Sequence, residues 1–174
     1  NPTAVAAGYD HTCALTDDGL RCWGDNERGQ TDVPKDLKNP DVVVGGGSLT
    51  CALAGDKLHC WGYSQEVPED LKNPDVVVAG GGHVCALTDD GLRCWGDNER
   101  GQTNVPIDLR NPTAVAAGWA HTCAITEDGI RCWGLNSQGQ TNVPKDLIRP
   151  SSVAAGTGHT CAATEEDLRC WGNN

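Results

Sequence analysis

An all-β architecture of five small blades, each stapled by its own disulfide, is the fold class this sequence predicts. Three observations predict it. A phrase recurs five times, ten cysteines fall two to a phrase, and strand-length runs are separated by Gly- and Asp-rich turns. No window of helical length shows a 3.6-residue period.

The repeat units span 3–40, 41–74, 75–112, 113–150 and 151–174, and the whole of 1–174 is expected to form a single repeat domain. The first unit reads TAVAAGYDHTCALTDDGLRCWGDNERGQTDVPKDLKNP. The second is four residues shorter in its tail, and the fifth lacks the GQTxVPxDL tail that completes a unit. Each unit parses in the same way. TAVAAG is a short apolar strand ending at Gly. HTCALT alternates, with Cys13 and Leu15 on one side and Thr12 and Ala14 on the other. Asp17-Asp18-Gly19 signals a turn, and GLRCWG returns. The tail reads as a connection with room for an outer edge strand, and its VPKDL allows at most one helical turn.

The hairpin register fixes the cysteine pairing. If Thr16 to Gly19 form a four-residue loop, Leu15 faces Leu20, Ala14 faces Arg21 and Cys13 faces Cys22. Directly opposite residues in a non-hydrogen-bonded pair have Cα atoms about 4.5 Å apart, within disulfide reach. Five bonds follow: Cys13–Cys22, Cys51–Cys60, Cys85–Cys94, Cys123–Cys132 and Cys161–Cys170. Each closes a small loop worth about 2–3 kcal/mol. Zinc sites bring cysteines two to four residues apart and two pairs per ion, which this spacing does not do. Disulfides of this kind place the chain in a secreted or periplasmic setting.

Charge excludes some partners. The formal charge is −11, from 24 acids against 13 bases, with no basic stripe, so nucleic acid is not an expected ligand. The longest apolar runs are a few residues, as in Val42-Val43-Val44, so no membrane insertion is expected. The chain has no Met and starts inside the repeated phrase, which reads as a processed or trimmed product. There is no Phe but six Trp, so bulk comes from Trp, Leu and Val.

The strings VAAGYDHTCALTDDGLRCWGDNERGQ at 5–30, CALTDDGLRCWGDNERGQ at 85–102 and VAAGWAHTCAITEDGIRCWGLNSQGQ at 115–140 resemble the repeat of the regulator of chromosome condensation family. The resemblance covers nearly the whole chain and implies a β-propeller, five-bladed here, with one disulfide hairpin per repeat. Within that family the short repeat and GQTxVP tail look more like secreted bacterial members, in particular a β-lactamase inhibitory protein of this fold. That likeness implies a protein partner held across one end of the ring. Two features depart from the family: five units where its propellers usually have seven, and the added cysteine pairs. The nuclear members act on a small GTPase and chromatin, a role that an acidic, disulfide-bonded chain does not fit. Burial independently argues for a ring. Both faces of each strand carry bulk, and stacking neighbouring blades buries both. Closure is expected through Val5-Ala6-Ala7 completing the last blade beside His159-Thr160-Cys161.

Candidate site residues lie where the repeat is irregular. Between the Gly and the His of each unit stand Tyr9-Asp10, Gly47-Ser48, Gly81-Gly82, Trp119-Ala120 and Thr157-Gly158, in a turn that places all five on one rim. Tyr9, Asp10, Ser48, Leu49, Trp119 and Thr157 are the candidate protein-binding residues, with Tyr9 and Trp119 as aromatic anchors. The alternative is that both rings only pack on neighbouring loops. Tyr63, alone in the shortened tail, is a candidate exposed ring. His11, His83, His121 and His159 recur at one address, where the second unit has Leu49, and are read as structural. The Trp after each second Cys is read as inter-blade packing.

Paired turn acids such as Asp17-Asp18 are adjacent rather than convergent, and no nucleophile elbow or phosphate loop is present. No catalytic residue, cofactor or metal is therefore expected. The leading function is a secreted protein-binding propeller, an inhibitor of an extracellular enzyme being its specific form. Three alternatives remain: a carbohydrate-binding or adhesive propeller, a subunit of a head-to-tail assembly, and an enzyme with a site in the channel. Rim residues that differ from unit to unit favour one asymmetric protein partner over a repeated sugar site.

Overall fold

The computed structural model describes residues 1–63 and 66–173. These form five three-stranded antiparallel sheets and no helix among the described residues. The first blade holds β1 (Pro2–Ala7), β2 (His11–Thr16) and β3 (Gly19–Gly24), and the second β4 (Val42–Gly45), β5 (Leu49–Ala54) and β6 (Lys57–Gly62). The third holds β7 (Val76–Ala79), β8 (His83–Thr88) and β9 (Gly91–Gly96), and the fourth β10 (Ala114–Ala117), β11 (His121–Thr126) and β12 (Gly129–Gly134). The fifth holds β13 (Ser152–Ala155), β14 (His159–Ala163) and β15 (Leu168–Gly172). In every blade the strands lie in chain order, so each connection within a blade is a tight hairpin.

The register is the one the cysteine spacing demands. Leu15 pairs with Leu20, Ala14 with Arg21 and Cys13 with Cys22. All five expected disulfides form, with Cα atoms 4.0–4.1 Å apart. The hairpin loop is tighter than the four residues expected. Thr16 pairs with Gly19, leaving Asp17 and Asp18 as the turn, and the Thr16 hydroxyl accepts the Asp18 N–H. Gly19 takes up that turn at φ +111°, whereas in the second blade Lys57 stands at the paired address and Gly55 within the turn carries the positive φ, +59°. The fifth unit has Asp167 at the glycine address and keeps a four-residue loop between Ala163 and Leu168.

The first strands β1, β4, β7, β10 and β13 touch in series and surround a common channel. They are built from Val, Ala and Gly because small side chains let strands converge there. Apolar cores lie between blades rather than within them. Leu49, Cys51 and Leu53 of the second blade pack with Val77, Val84 and Trp95 of the third. Cys123, Ile125 and Ile130 of the fourth pack with Ala162 and Trp171 of the fifth. This is the two-sided burial that bulk on both strand faces calls for.

Two expectations are corrected. The tails form no edge strand among the described residues. They fold as turns, with Leu37 N–H donating to the Pro34 carbonyl and the Asn26 side chain bonding Thr31 N–H and the Asp32 carboxylate. Asn side chains that bond their own loop compete with a sheet ladder. Closure through Val5-Ala6-Ala7 also does not occur. β1 pairs with β2 of its own blade, and β13 fills the place beside β14. No Cα of a first-blade strand comes within 8 Å of a last-blade strand.

Candidate functional site

Two constructions hold blade to blade and together shape one rim. The first is a belt of main-chain hydrogen bonds around the channel mouth. Tyr9 N–H donates to Gly46 O (3.1 Å), Gly47 to Gly80 (2.9 Å), Gly81 to Gly118 (3.2 Å) and Trp119 to Gly156 (3.2 Å). The run Gly45-Gly46-Gly47 belongs to this belt. A Cβ on Gly46 or Gly47 would strike the carbonyl of the next blade, so glycine is what permits the approach.

The second is a side-chain clip. The Thr50 hydroxyl donates to the Gln30 carbonyl (2.7 Å), and Trp61 Nε1 donates to that same carbonyl (3.0 Å). Since the hydroxyl proton is spent on Gln30, His11 Nε2 must be the donor in its 2.9 Å bond to Thr50 Oγ1. The imidazole is therefore the Nε2–H tautomer. The same set recurs as His83, Thr122, Gln102 and Trp133, and as His121, Thr160, Gln140 and Trp171. Nδ1 of His11, His83 and His121 finds no donor among the described residues. Burial holds the pKa of all three below the usual histidine value, and those of His83 and His121 fall to about 4. Each histidine thus serves the repeat itself.

Between the second and third blades the clip is apolar: Leu49 stands at the His address, Val84 at the Thr address, and the two share one core. Leu49 is fully buried and does not reach the rim surface, which corrects its place among the rim candidates. The Thr and Gln members of the clip went unread in the sequence. Their signal was there, in the paired change of His to Leu in one unit and Thr to Val in the next.

A third link lies on the outer side. Arg93, Arg131 and Arg169 bond Asp70, Asp108 and Asp146 of the preceding tail at 3.1–3.2 Å. The guanidiniums beside Asp70 and Asp108 hold those carboxyls below the usual range. In the second blade His59 replaces the Arg, opposite the address of Asp36. His59→Arg should add a fourth pair and raise stability by about 0.2–1 kcal/mol, as exposed pairs do. Urea denaturation of the two proteins checks it, with the gain shrinking in high salt.

Of the remaining rim candidates, Tyr9, Trp119 and Thr157 line one mouth, whereas Asp10 and Ser48 do not line it. Tyr9 is 56% exposed and Trp119 47%. The Trp119 indole lies over Gly81 of the neighbouring blade. The Tyr9 hydroxyl reaches Thr157 Oγ1 (3.0 Å), linking the rims of the first and last blades. Asp10 is exposed, and its carbonyl accepts the Asp25 N–H; the Ser48 carbonyl accepts the Tyr63 N–H. Tyr63 is exposed as expected, with the Arg28 guanidinium 5.3 Å above its ring. Tyr9, Trp119, Thr157 and the belt glycines line a shallow, open mouth of about 280 Å³. That is smaller than a usual small-molecule pocket and suits an inserted side chain.

Five disulfide-stapled blades joined by a glycine belt and a glutamine clip define a β-propeller repeat array with an aromatic rim. The regulator of chromosome condensation (RCC1) repeat model matches residues 3–30, 76–102, 113–140 and 151–174, more than half of the chain, and the chain belongs to that family. The ectodomain of the receptor kinase CR4 from Physcomitrella patens is similar to it with a TM-score of 0.83 and 25% identity, over 98% of this chain and 52% of that one. Prp20p from Saccharomyces cerevisiae follows at 0.81 and 20%, over 97% and 56%. The CRINKLY ectodomain of ACR4 from Arabidopsis thaliana stands at 0.77 and 23%, over 99% and 72%. The chain spans about half the length of the first two. No curated protein sequence matches it.

Proposed function

We propose that this chain is an extracellular protein-binding propeller array that acts by binding rather than by catalysis, with its partner seated on the rim. The observation that carries this is the pair of half-exposed rings, Tyr9 and Trp119, on a mouth held rigid by the main-chain belt. Rigid aromatics at the edge of a small pocket are the residues that anchor protein interfaces. Five disulfides support an oxidising compartment. Structural neighbours give the same direction: CR4 is a receptor ectodomain, and Prp20p binds Gsp1p and histones. The specific form is inhibition of an extracellular enzyme, by a loop of that enzyme entering the mouth. The exposed Asp10 in the rim turn favours a loop that carries Lys or Arg.

Affinity capture from the native surroundings, quantified by mass spectrometry, tests the reading. Tyr9→Ala and Trp119→Ala should each weaken the captured complex by more than about 1 kcal/mol while leaving the melting temperature nearly unchanged. If both lower the melting temperature and leave capture intact, the rings are packing residues and the reading fails.

A further inference from the structure

The two rings that stand on the mouth each follow a glycine that lies against a buried imidazole. A Cβ on Gly8 would strike the Cε1–Nδ1 edge of His11, and a Cβ on Gly118 would strike the same edge of His121. Tyr9 and Trp119 are the next residues in the chain. Nε2 of each ring is committed to a Thr hydroxyl at 2.9 Å, and Nδ1 has no partner among the described residues. The second unit offers the comparison. Leu49 stands at the His address, and its Cγ lies beneath Gly46 in the same way. An apolar side chain thus backs the belt as an imidazole does, and only the imidazole can take a proton. Few charges face the ring beneath Trp119. β10 and β13 bring only Ala, Val and Ser, β14 brings His159, β8 brings His83, and Arg131 of β12 is turned to Asp108. Leu135 stands where the first and third units have Asp25 and Asp97. Burial, and after it the charge of His159, lower the His121 pKa to about 4 with no carboxylate to offset them. Around His11 the carboxylates of Asp25 and Asp10 and the Leu49 carbonyl work against burial. His83, which backs Gly80, is faced by His121 and Asp97.

We propose that these imidazoles make the mouth an acid-operated gate: a proton taken up at Nδ1 of His121 pushes Gly118 off the ring and carries Trp119 from its seat, and His11 does the same to Gly8 and Tyr9. The added N–H has no acceptor in the clip, because Thr160 Oγ1 is already met by Nε2–H. The ring must turn to satisfy it, since a buried donor left unpaired is costly. The mouth is the side that yields: Gly118 lines it, whereas Thr160 is fully buried. Two belt bonds go with Gly118, from Gly81 N–H to Gly118 O and from Trp119 N–H to Gly156 O, each 3.2 Å. The mouth is therefore formed at neutral pH and dismantled in acid. The gate is a property of the free chain; that its opening releases a partner rests on the rim reading.

Fluorine NMR of the full chain labelled with fluorotryptophan tests it, with two resonances assigned by the replacements Trp119→Phe and Trp95→Phe. On acidification the Trp119 resonance should move with a midpoint near pH 4, where His121 takes its proton. Trp95, in the core between the second and third blades where the clip is apolar, should keep its position. A variant carrying both His121→Leu and Thr160→Val repeats the pairing of Leu49 with Val84, and Trp171 Nε1 still holds the Gln140 carbonyl. In that variant Trp119 should stay in place over the same range, although Asp10 and Asp25 still titrate. If Trp95 at neutral pH shows the double variant to be unfolded, His121→Gln takes its place, since it keeps a donor for Thr160 and accepts no proton. A Trp119 resonance that moves in the folded variant as in the parent overturns the gate. So does a parent in which Trp119 moves only when Trp95 does, because the event is then global unfolding. No partner is present in this measurement, so its outcome is separate from that of the capture experiment.

Discussion

Acidification from pH 7 to pH 4 should destabilise the array by several kcal/mol. His83 and His121 are fully buried, and burial lowers their pKa from 6.5 to about 4. The cause is visible: Nε2–H is committed to a Thr hydroxyl, and a proton on Nδ1 would create a buried donor with no acceptor. Folded-state values below the unfolded one mean that both states are neutral above about 6.5 and that the contribution is intact there. As pH falls from 6.5 towards 4 the unfolded chain takes up protons that the folded chain refuses, and stability is lost across that window. At about 1.4 kcal/mol per pKa unit, each imidazole accounts for about 3 kcal/mol. His11 adds in the same direction. Urea denaturation at pH 7, 5.5 and 4.5 measures it. A stability flat from pH 7 to 4.5 would remove the buried neutral imidazoles from this account.

The second large effect is a rescue. Thr122→Val should cost about 2–3 kcal/mol, since it leaves the His83 N–H without its acceptor in a buried clip, the usual penalty for an orphaned polar group. Adding His83→Leu should then recover more than about 1 kcal/mol, because the pair becomes the Leu–Val clip that the chain already uses at Leu49 and Val84. Trp133 Nε1 keeps its bond to the Gln102 carbonyl throughout, so the tail stays anchored. The double variant should also lose the His83 share of the acid sensitivity, which ties the two predictions together. Denaturation of the four proteins of this cycle decides it: additive losses, with the double variant worse than either single, would show that the clip addresses are not coupled across blades.

Hairpin chemistry was legible because it is local. Cys13 and Cys22 lie nine residues apart and a turn signal sits between them, so register and disulfide follow from chain geometry alone. The rim address was legible for the same reason, as the short turn between two strands of one blade. Leu49 shows the limit of that reading. It flanks the rim turn in sequence, yet its side chain enters the core between blades, because the alternation of β5 points it there.

What joins blades was not local. His11 meets Thr50 across 39 residues, Trp61 meets Gln30 across 31 and Arg93 meets Asp70 across 23. A period of 34 or 38 residues says that neighbours pack, but not which face of one blade meets which face of the next. The fate of Val5-Ala6-Ala7 turned on that same question. The sequence by itself determined five antiparallel hairpins, their register, their disulfides and a shared rim, since each is set by contacts within one unit. Only the tertiary structure decided that His, Thr, Gln and Trp form one clip and that the glycine run carries the belt. The physical reason is that buried polar groups must find partners, and here those partners stand in the neighbouring unit.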